Sequence, residues 1–221
     1  MAEAILTRLA VDAPVFDAER GAFTRDGVRL SGLLPTLKRL FYPTFVHTRR
    51  KKPKWLRSAV SRPRVTVERG IRIHDALGEW CTTGTLPRDS LARQIAVALT
   101  TRGIRLVACE VPIAYTQARV ATAIDAIGED AHGNSVILEF KAGYQRSVRD
   151  RGTLSHVHPR VPSTPLNHAT LQLAMTRAIL AAEYHVDASQ CLLVISNGTG
   201  VTLRSLPKWA REVRAETLLH R

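Results

Sequence analysis

Ala123-Ile-Asp-Ala-Ile-Gly-Glu-Asp-Ala-His-Gly-Asn-Ser-Val-Ile-Leu-Glu-Phe-Lys141 contains two apolar runs on either side of a polar turn. Gly133 stands where a three-residue hairpin loop (Ala131, His132, Gly133) needs a left-handed residue. With that loop Asp130 faces Asn134, and counting back along the ladder sets Asp125 opposite Glu139. Side chains alternate along a strand, so Glu139 and Lys141 share one face while Val136, Leu138 and Phe140 take the other. Two acids and a lysine then meet at one place on an otherwise apolar hairpin. A loop of two or four residues would instead send Asp125 to the face opposite Glu139.

Carboxylates directly across a ladder repel each other and weaken a bare sheet. A divalent cation removes that penalty, and hard oxygen ligands suit magnesium. Such an ion polarises a phosphoryl oxygen and acidifies a bound water, while a neighbouring lysine orients the water or stabilises developing charge. The plain alternative is that Asp125, Glu139 and Lys141 are ordinary charges on the wet side of a hairpin, since Asp followed later by Glu-x-Lys is a common spacing.

Working outward, Arg105 to Ile113 and Arg119 to Gly128 read as strands, as does Ser135 to Lys141, all rich in Val, Ile and Leu. A helix is expected from Val67 to Cys81, with Val67, Ile71, His74 and Leu77 at three- and four-residue spacing and Gly84 just beyond it. A second helix is expected from Ser90 to about Thr101, stopped by Gly103. The stretch from Ala142 to Asn167, with Gly, Pro, several Arg and two His, reads as a long mobile loop of the kind that is often functional. His168 to Tyr184 is an amphipathic helix carrying Leu171, Ala174, Met175, Ala178 and Ile179. Strands Cys191 to Ser196 and Val201 to Leu206 follow, turning at Asn197-Gly198. Residues 1–36 suggest an irregular arm with one hairpin. This order implies an α/β fold in a single domain: a basic N-terminal arm and loop (1–66), a core (67–206) and a C-terminal tail (207–221).

The 221 residues carry 32 Lys+Arg against 19 Asp+Glu, a net charge of +13. That excess favours polyanions, nucleic acid first and an anionic membrane second. Basic residues crowd from Lys38 to Arg72, including Arg49, Arg50, Lys51, Lys52 and Lys54, with Tyr42, Phe45 and Trp55 interleaved. Basic groups contact phosphate and aromatics stack on unpaired bases; the bland reading is a solvated loop anchored by its aromatics. Cys81, Cys109 and Cys191 show neither disulfide nor zinc spacing, which points to reduced thiols in an intracellular protein. No apolar run reaches membrane-spanning length, and the first residues lack a secretory apolar core. His156, His158 and His168 lie in or near the long loop without a spacing that sets metal geometry.

The hairpin resembles the signature of the PD-(D/E)XK nuclease superfamily, an Asp on one strand followed after a turn by (Asp/Glu)-X-Lys, matched by Ile124-Asp125 and Glu139-Phe140-Lys141. Other landmarks occur in the order of its RecB-like branch, which includes mitochondrial genome maintenance exonuclease-type enzymes. Gly70-Ile-Arg-Ile-His74 matches the Gly-x-x-x-His of an early helix. Glu110 in Ala108-Cys-Glu-Val-Pro112 matches a glutamate on the first strand, and Gln172 in Leu171-Gln-Leu-Ala-Met175 a glutamine on the helix after the catalytic strand. The opening Leu33-Leu-Pro-Thr-Leu-Lys38 and Tyr42-Pro43 are also similar, so the likeness spans roughly residues 27 to 206. The proline of the family's name is absent, and Thr176 stands where the family commonly has Tyr.

The resemblance implies a restriction-endonuclease-like core, a central mixed sheet flanked by helices. It implies that Asp125, Glu139 and the Phe140 carbonyl ligate Mg²⁺, with Mn²⁺ able to substitute. Lys141 would position water or stabilise charge, His74 would join the metal shell, Glu110 would assist, and Gln172 would support Lys141 or the substrate. A core histidine, a solvated strand-end glutamate and a helix-packing glutamine are the ordinary readings of the last three. The expected activity is hydrolysis of DNA, at ends or in single strands, by an exonuclease. Arg146, Arg149 and Arg151, with Arg49 to Lys54, would grip the backbone. A junction-resolvase-like endonuclease on the same scaffold and a nucleic-acid-binding protein without catalysis are the alternatives.

Overall fold

Alternating apolar residues between Arg105 and Ala142 supply the centre of one mixed sheet, and helices close over both of its faces; the one expected to be amphipathic over His168–Tyr184 is instead buried on most sides. The computed structural model describes residues 2–17, 19–42, 63–142, 154, 161–196 and 199–219, without the side chains of 63–67. In order these form α1 (Ala2–Val11), β1 (Val15–Asp17), β2 (Ala22–Arg25), β3 (Val28–Gly32), α2 (Leu33–Phe41), α3 (Pro63–Thr83) and α4 (Ser90–Thr101). The sheet's central strands β4 (Arg105–Tyr115), β5 (Val120–Glu129) and β6 (Ser135–Ala142) follow. Then come α5 (Pro165–Tyr184), β7 (Gln190–Ser196), β8 (Val201–Ser205), α6 (Lys208–Arg211) and a 3-10 turn (Ala215–Leu219). The architecture is α/β, an open mixed sheet between helical layers, as the sequence suggested.

One face of the sheet packs Leu106, Ala126, Val136, Leu138 and Phe140 against Ile73 and Leu77 of α3 and Ile95 and Leu99 of α4. The other face packs Ile113, Ile124, Ile127 and Ile137 against α1, α2 and α5. Val136, Leu138 and Phe140 thus share a face, as the period-two reading required. Leu138 is fully buried; its truncation to Ala would cost about 2–5 kcal/mol. Helix ends follow local chemistry: Asp89 accepts from the N–H groups of Leu91 and Ala92 to start α4, and Thr164 accepts from Asn167 N–H with Pro165 at the first position of α5.

Three expectations need correction. Residues 1–36 are not an irregular arm, although they do hold the expected hairpin pairing: α1 buries Ala2, Ile5 and Leu9, and β1 to β3 form an antiparallel meander joined to the main sheet. The signal was present as a three- and four-residue apolar spacing within Ala2–Val11, over only ten residues. On α3 the inward face carries Ile73 and Leu77, while Ile71 is exposed, so that face is rotated from the one expected. The C-terminal segment also belongs to the core, through Ala210, Val213, Ala215 and Leu218. The Asn197-Gly198 turn, His156, His158 and the proposed gripping residues Arg49, Arg50, Lys51, Lys52, Lys54, Arg146, Arg149 and Arg151 lie outside the described residues. Among the described residues no helix is long and apolar enough to cross a membrane.

Candidate metal centre

The β5–β6 hairpin has the three-residue loop that its sequence called for. Asp130 N–H donates to Asn134 C=O at 2.9 Å, and Gly133 takes a φ of +78° that a side chain would strain. The ladder runs from Glu129 opposite Ser135 to Ala126 opposite Leu138 and then stops. One residue beyond, where Asp125 and Glu139 come next, the strands open into a fork. The same edge of β5 is taken by β3 at Val120 and Ala121, so residues 122–125 form the mouth between two partner strands. At this point a side chain replaces the ladder: the Asp125 carboxylate accepts the Phe140 N–H at 2.7 Å.

A second irregularity aims the neighbouring groups. Cys109 packs into the cluster under α3 but Val111 into the opposite one, and across the ladder Ala126 and Ile124 divide the same way. Regular strands would keep each pair on one face. The switch falls at Glu110 and Asp125, and Glu110 has a φ of +52°, a left-handed conformation unusual for a residue with a side chain. The result brings β4 and β5 chemistry up to α3. His74 Nδ1 lies 2.7 Å from Glu110 Oε1, and His74 Nε2 lies 3.8 Å from Asp125 Oδ2. The Phe140 ring meets the His74 ring edge-on, with centroids 6.0 Å apart.

Asp125 is 8% exposed and Glu139 2%, so neither acid is a solvated surface charge. Burial raises the Asp125 carboxyl above the usual range, against the pull of His74, Lys141 and the Phe140 N–H. Glu139 is pushed up to about 8 by burial and by the charge of Asp125, although Lys141 donates to its carboxylate. Burial alone would lower the His74 imidazole; the Glu110 hydrogen bond and the charges of Asp125 and Glu110 outweigh it, and the net shift is upward.

Among the described residues, His74, Glu110 and Asp125 each offer a ligand atom, all within 4.8 Å of one another. One nitrogen and two carboxylate oxygens are donors that divalent cations accept. Two donors bound to one ion at about 2.1 Å can be no more than about 4.2 Å apart, and the 3.8 Å between His74 Nε2 and Asp125 Oδ2 meets that limit. Glu139, expected beside Asp125 in the metal shell, is not in this group; its carboxylate is tied to the Lys141 ammonium. Phe140 enters through its backbone N–H. Gln172 is half-buried on α5, and among the described residues no hydrogen bond joins it to these groups. His168 instead stacks on Tyr42 at 3.7 Å and bonds Ser163 at 2.9 Å.

Sequence reading did not anticipate that Cys81 and Cys109 meet at the rim of this cluster. The Cys109 thiol donates to the Leu77 carbonyl at 3.9 Å, and burial together with the neighbouring Cys81 pushes its pKa far up. Spacing carries no sign of the pair, because one cysteine is on a helix and the other on a strand. No protein-family model and no curated protein matches the chain.

Proposed function

We propose that the protein is a divalent-metal-dependent nuclease of the PD-(D/E)XK kind that hydrolyses DNA phosphodiester bonds, at ends or in single strands. The observation that carries this reading is the fork. Two buried acids stand where β5 and β6 part, with a lysine beside one and a histidine–glutamate pair beside the other. Burying like charges together is costly unless a cation or protons neutralise them, and the upward shifts of Asp125 and Glu139 express that cost.

Asp125 and His74 would hold the ion, and the family resemblance adds Glu139 and the Phe140 carbonyl to its shell. When bound, a Mg²⁺ or Mn²⁺ ion supplies Lewis-acid stabilisation of the phosphate and acidifies water. The chain's own groups do the rest. Asp125 keeps the fork open by capping Phe140 N–H. Lys141, held near the acids by Glu139, carries the positive charge that stabilises the charged transition state. The net charge of +13 supports a polyanionic substrate.

The test is incubation of end-labelled linear DNA and a closed circle, each with Mg²⁺ or Mn²⁺, using the parent protein and Asp125→Asn. Nucleotides released from the linear substrate by the parent alone, with the circle intact, are the expected result. Cutting of the circle would reassign the activity to an endonuclease. No cleavage of single- or double-stranded DNA with either ion, or undiminished cleavage by Asp125→Asn, would overturn the proposal.

A further inference from the structure

We infer that Glu110 is a positioning residue rather than a metal ligand: its carboxylate fixes the tautomer and direction of the His74 ring, so that Nε2 is the nitrogen presented to a divalent cation. This rests on the metal-dependent reading above and deepens it, since three donors within reach of one another do not say which of them support the others.

The argument starts from the two sides of the ring. Nδ1 is 2.7 Å from Glu110 Oε1, a full hydrogen bond, whereas Nε2 is 3.8 Å from Asp125 Oδ2, too long for one. A carboxylate only accepts, so the proton in the short bond belongs to Nδ1. A nitrogen whose lone-pair direction holds that proton cannot also face a cation. In the neutral ring Nε2 is therefore left with its lone pair, and it points toward the buried acid. The exposures agree: the Glu110 side chain is 53% exposed, that of Asp125 10%. The inner acid suits an ion and the outer one suits support.

The backbone gives the second line of argument. Glu110 holds a φ of +52°, at the point where β4 and β5 change the face their neighbours pack on. Asn, Asp or Gly would adopt that conformation more readily. A strained residue at a cluster of functional groups is grounds for asking what the strain secures. Here it accompanies a carboxylate placed against a helix residue 36 positions earlier in the chain. Histidines that ligate metals commonly donate their other N–H to a carboxylate, which sets tautomer and orientation.

Two substitutions separate support from ligation. Glu110→Gly removes the side chain and relieves the backbone. Glu110→Gln keeps an oxygen that accepts from Nδ1–H but loses the charge a ligand would contribute. The full chain is titrated with Mn²⁺ by calorimetry, and the metal-free neutral His74 ring is examined by ¹⁵N NMR, assigned with His74→Gln. The metal-free parent and Glu110→Gln are expected to carry the proton on Nδ1. Glu110→Gln should bind Mn²⁺ within about threefold of the parent, and Glu110→Gly roughly 10- to 100-fold more weakly. Equal weakening by Gln and Gly would make Glu110 a ligand and overturn the inference, as would a proton on Nε2 in the metal-free parent. If Glu110→Gly does not fold, the Gln variant and the metal-free spectrum decide alone. No Mn²⁺ binding by the parent, or binding indifferent to Asp125→Asn, overturns the metal centre itself, and Glu110's role with it.

Discussion

The two ends of the β5–β6 hairpin carry acids of opposite character. At the turn, Asp130 accepts from the N–H of His132 and of Asn134, both at 2.9 Å, and from the Asn134 side chain at 3.1 Å. The bonds from Asn134, backbone first, hold its carboxyl below the usual range. Next to it Glu129 pairs with Arg105 at 3.0 Å. At the open end, five residues away, Asp125 and Glu139 are buried and shifted upward. The same hairpin thus holds acids stabilised by local donors and acids whose donors do not offset their burial. The first kind stabilises a fold, and the second is sustained by the rest of the fold and, on the proposed reading, is neutralised by a cation. On that reading the difference separates a structural carboxylate from a functional one, and substitution at each end tests it.

The largest effect belongs to the open end. Asp125→Asn and Lys141→Ala should each reduce single-turnover DNA cleavage by about 1000-fold or more, with DNA affinity little changed. Asn retains an acceptor for Phe140 N–H, so the first variant should fold normally. Full cleavage by either would erase the proposed contrast between the two ends.

A smaller effect follows from linkage, and its sign differs between the ends. Glu139 rises from 4.5 to about 8, and Asp125 rises above 3.8. A raised carboxyl contributes stability that is present below its unfolded value and lost as pH climbs through its folded value. The melting temperature of the metal-free protein should therefore fall between pH 5 and 8, by roughly 2–8 °C for a net effect of about 1–2 kcal/mol. Mn²⁺ should restore it, and Glu139→Gln should flatten the dependence. Asp130 works the other way: its lowered carboxyl contributes stability above 3.8 that is lost on acidification. A metal-free melting temperature that rises from pH 5 to 8 would contradict the assignment of the open end.

The smallest effect sharpens the comparison from the turn. Gly133→Ala forces a side chain into the left-handed region at φ +78°, which should destabilise the protein by about 1 kcal/mol. Cleavage per folded molecule should stay at the parent level. Asp130→Ala should likewise lower the melting temperature without changing cleavage, because the fork lies at the far end of the ladder.

The amino-acid order alone determined the hairpin. A period of two, a turn glycine and a loop length are local facts, and they sufficed to place Asp125 and Glu139 at corresponding positions beside the fork. The same local signals placed α4 within its observed bounds, Ser90–Thr101, because its cap and its stop lie in the helix's own neighbourhood. They failed for Ile71, whose spacing fits the core but whose face is set by how α3 rolls onto the sheet. The family resemblance already named His74 and Glu110 for the site; what only the tertiary structure decided is the geometry in which these distant groups meet the acids. His74 and Glu110 are brought together by a left-handed residue in a strand, and Cys109 by a helix lying across it. The geometry of such encounters depends on the packing of whole elements, whose energies are summed over many contacts that local spacing does not record.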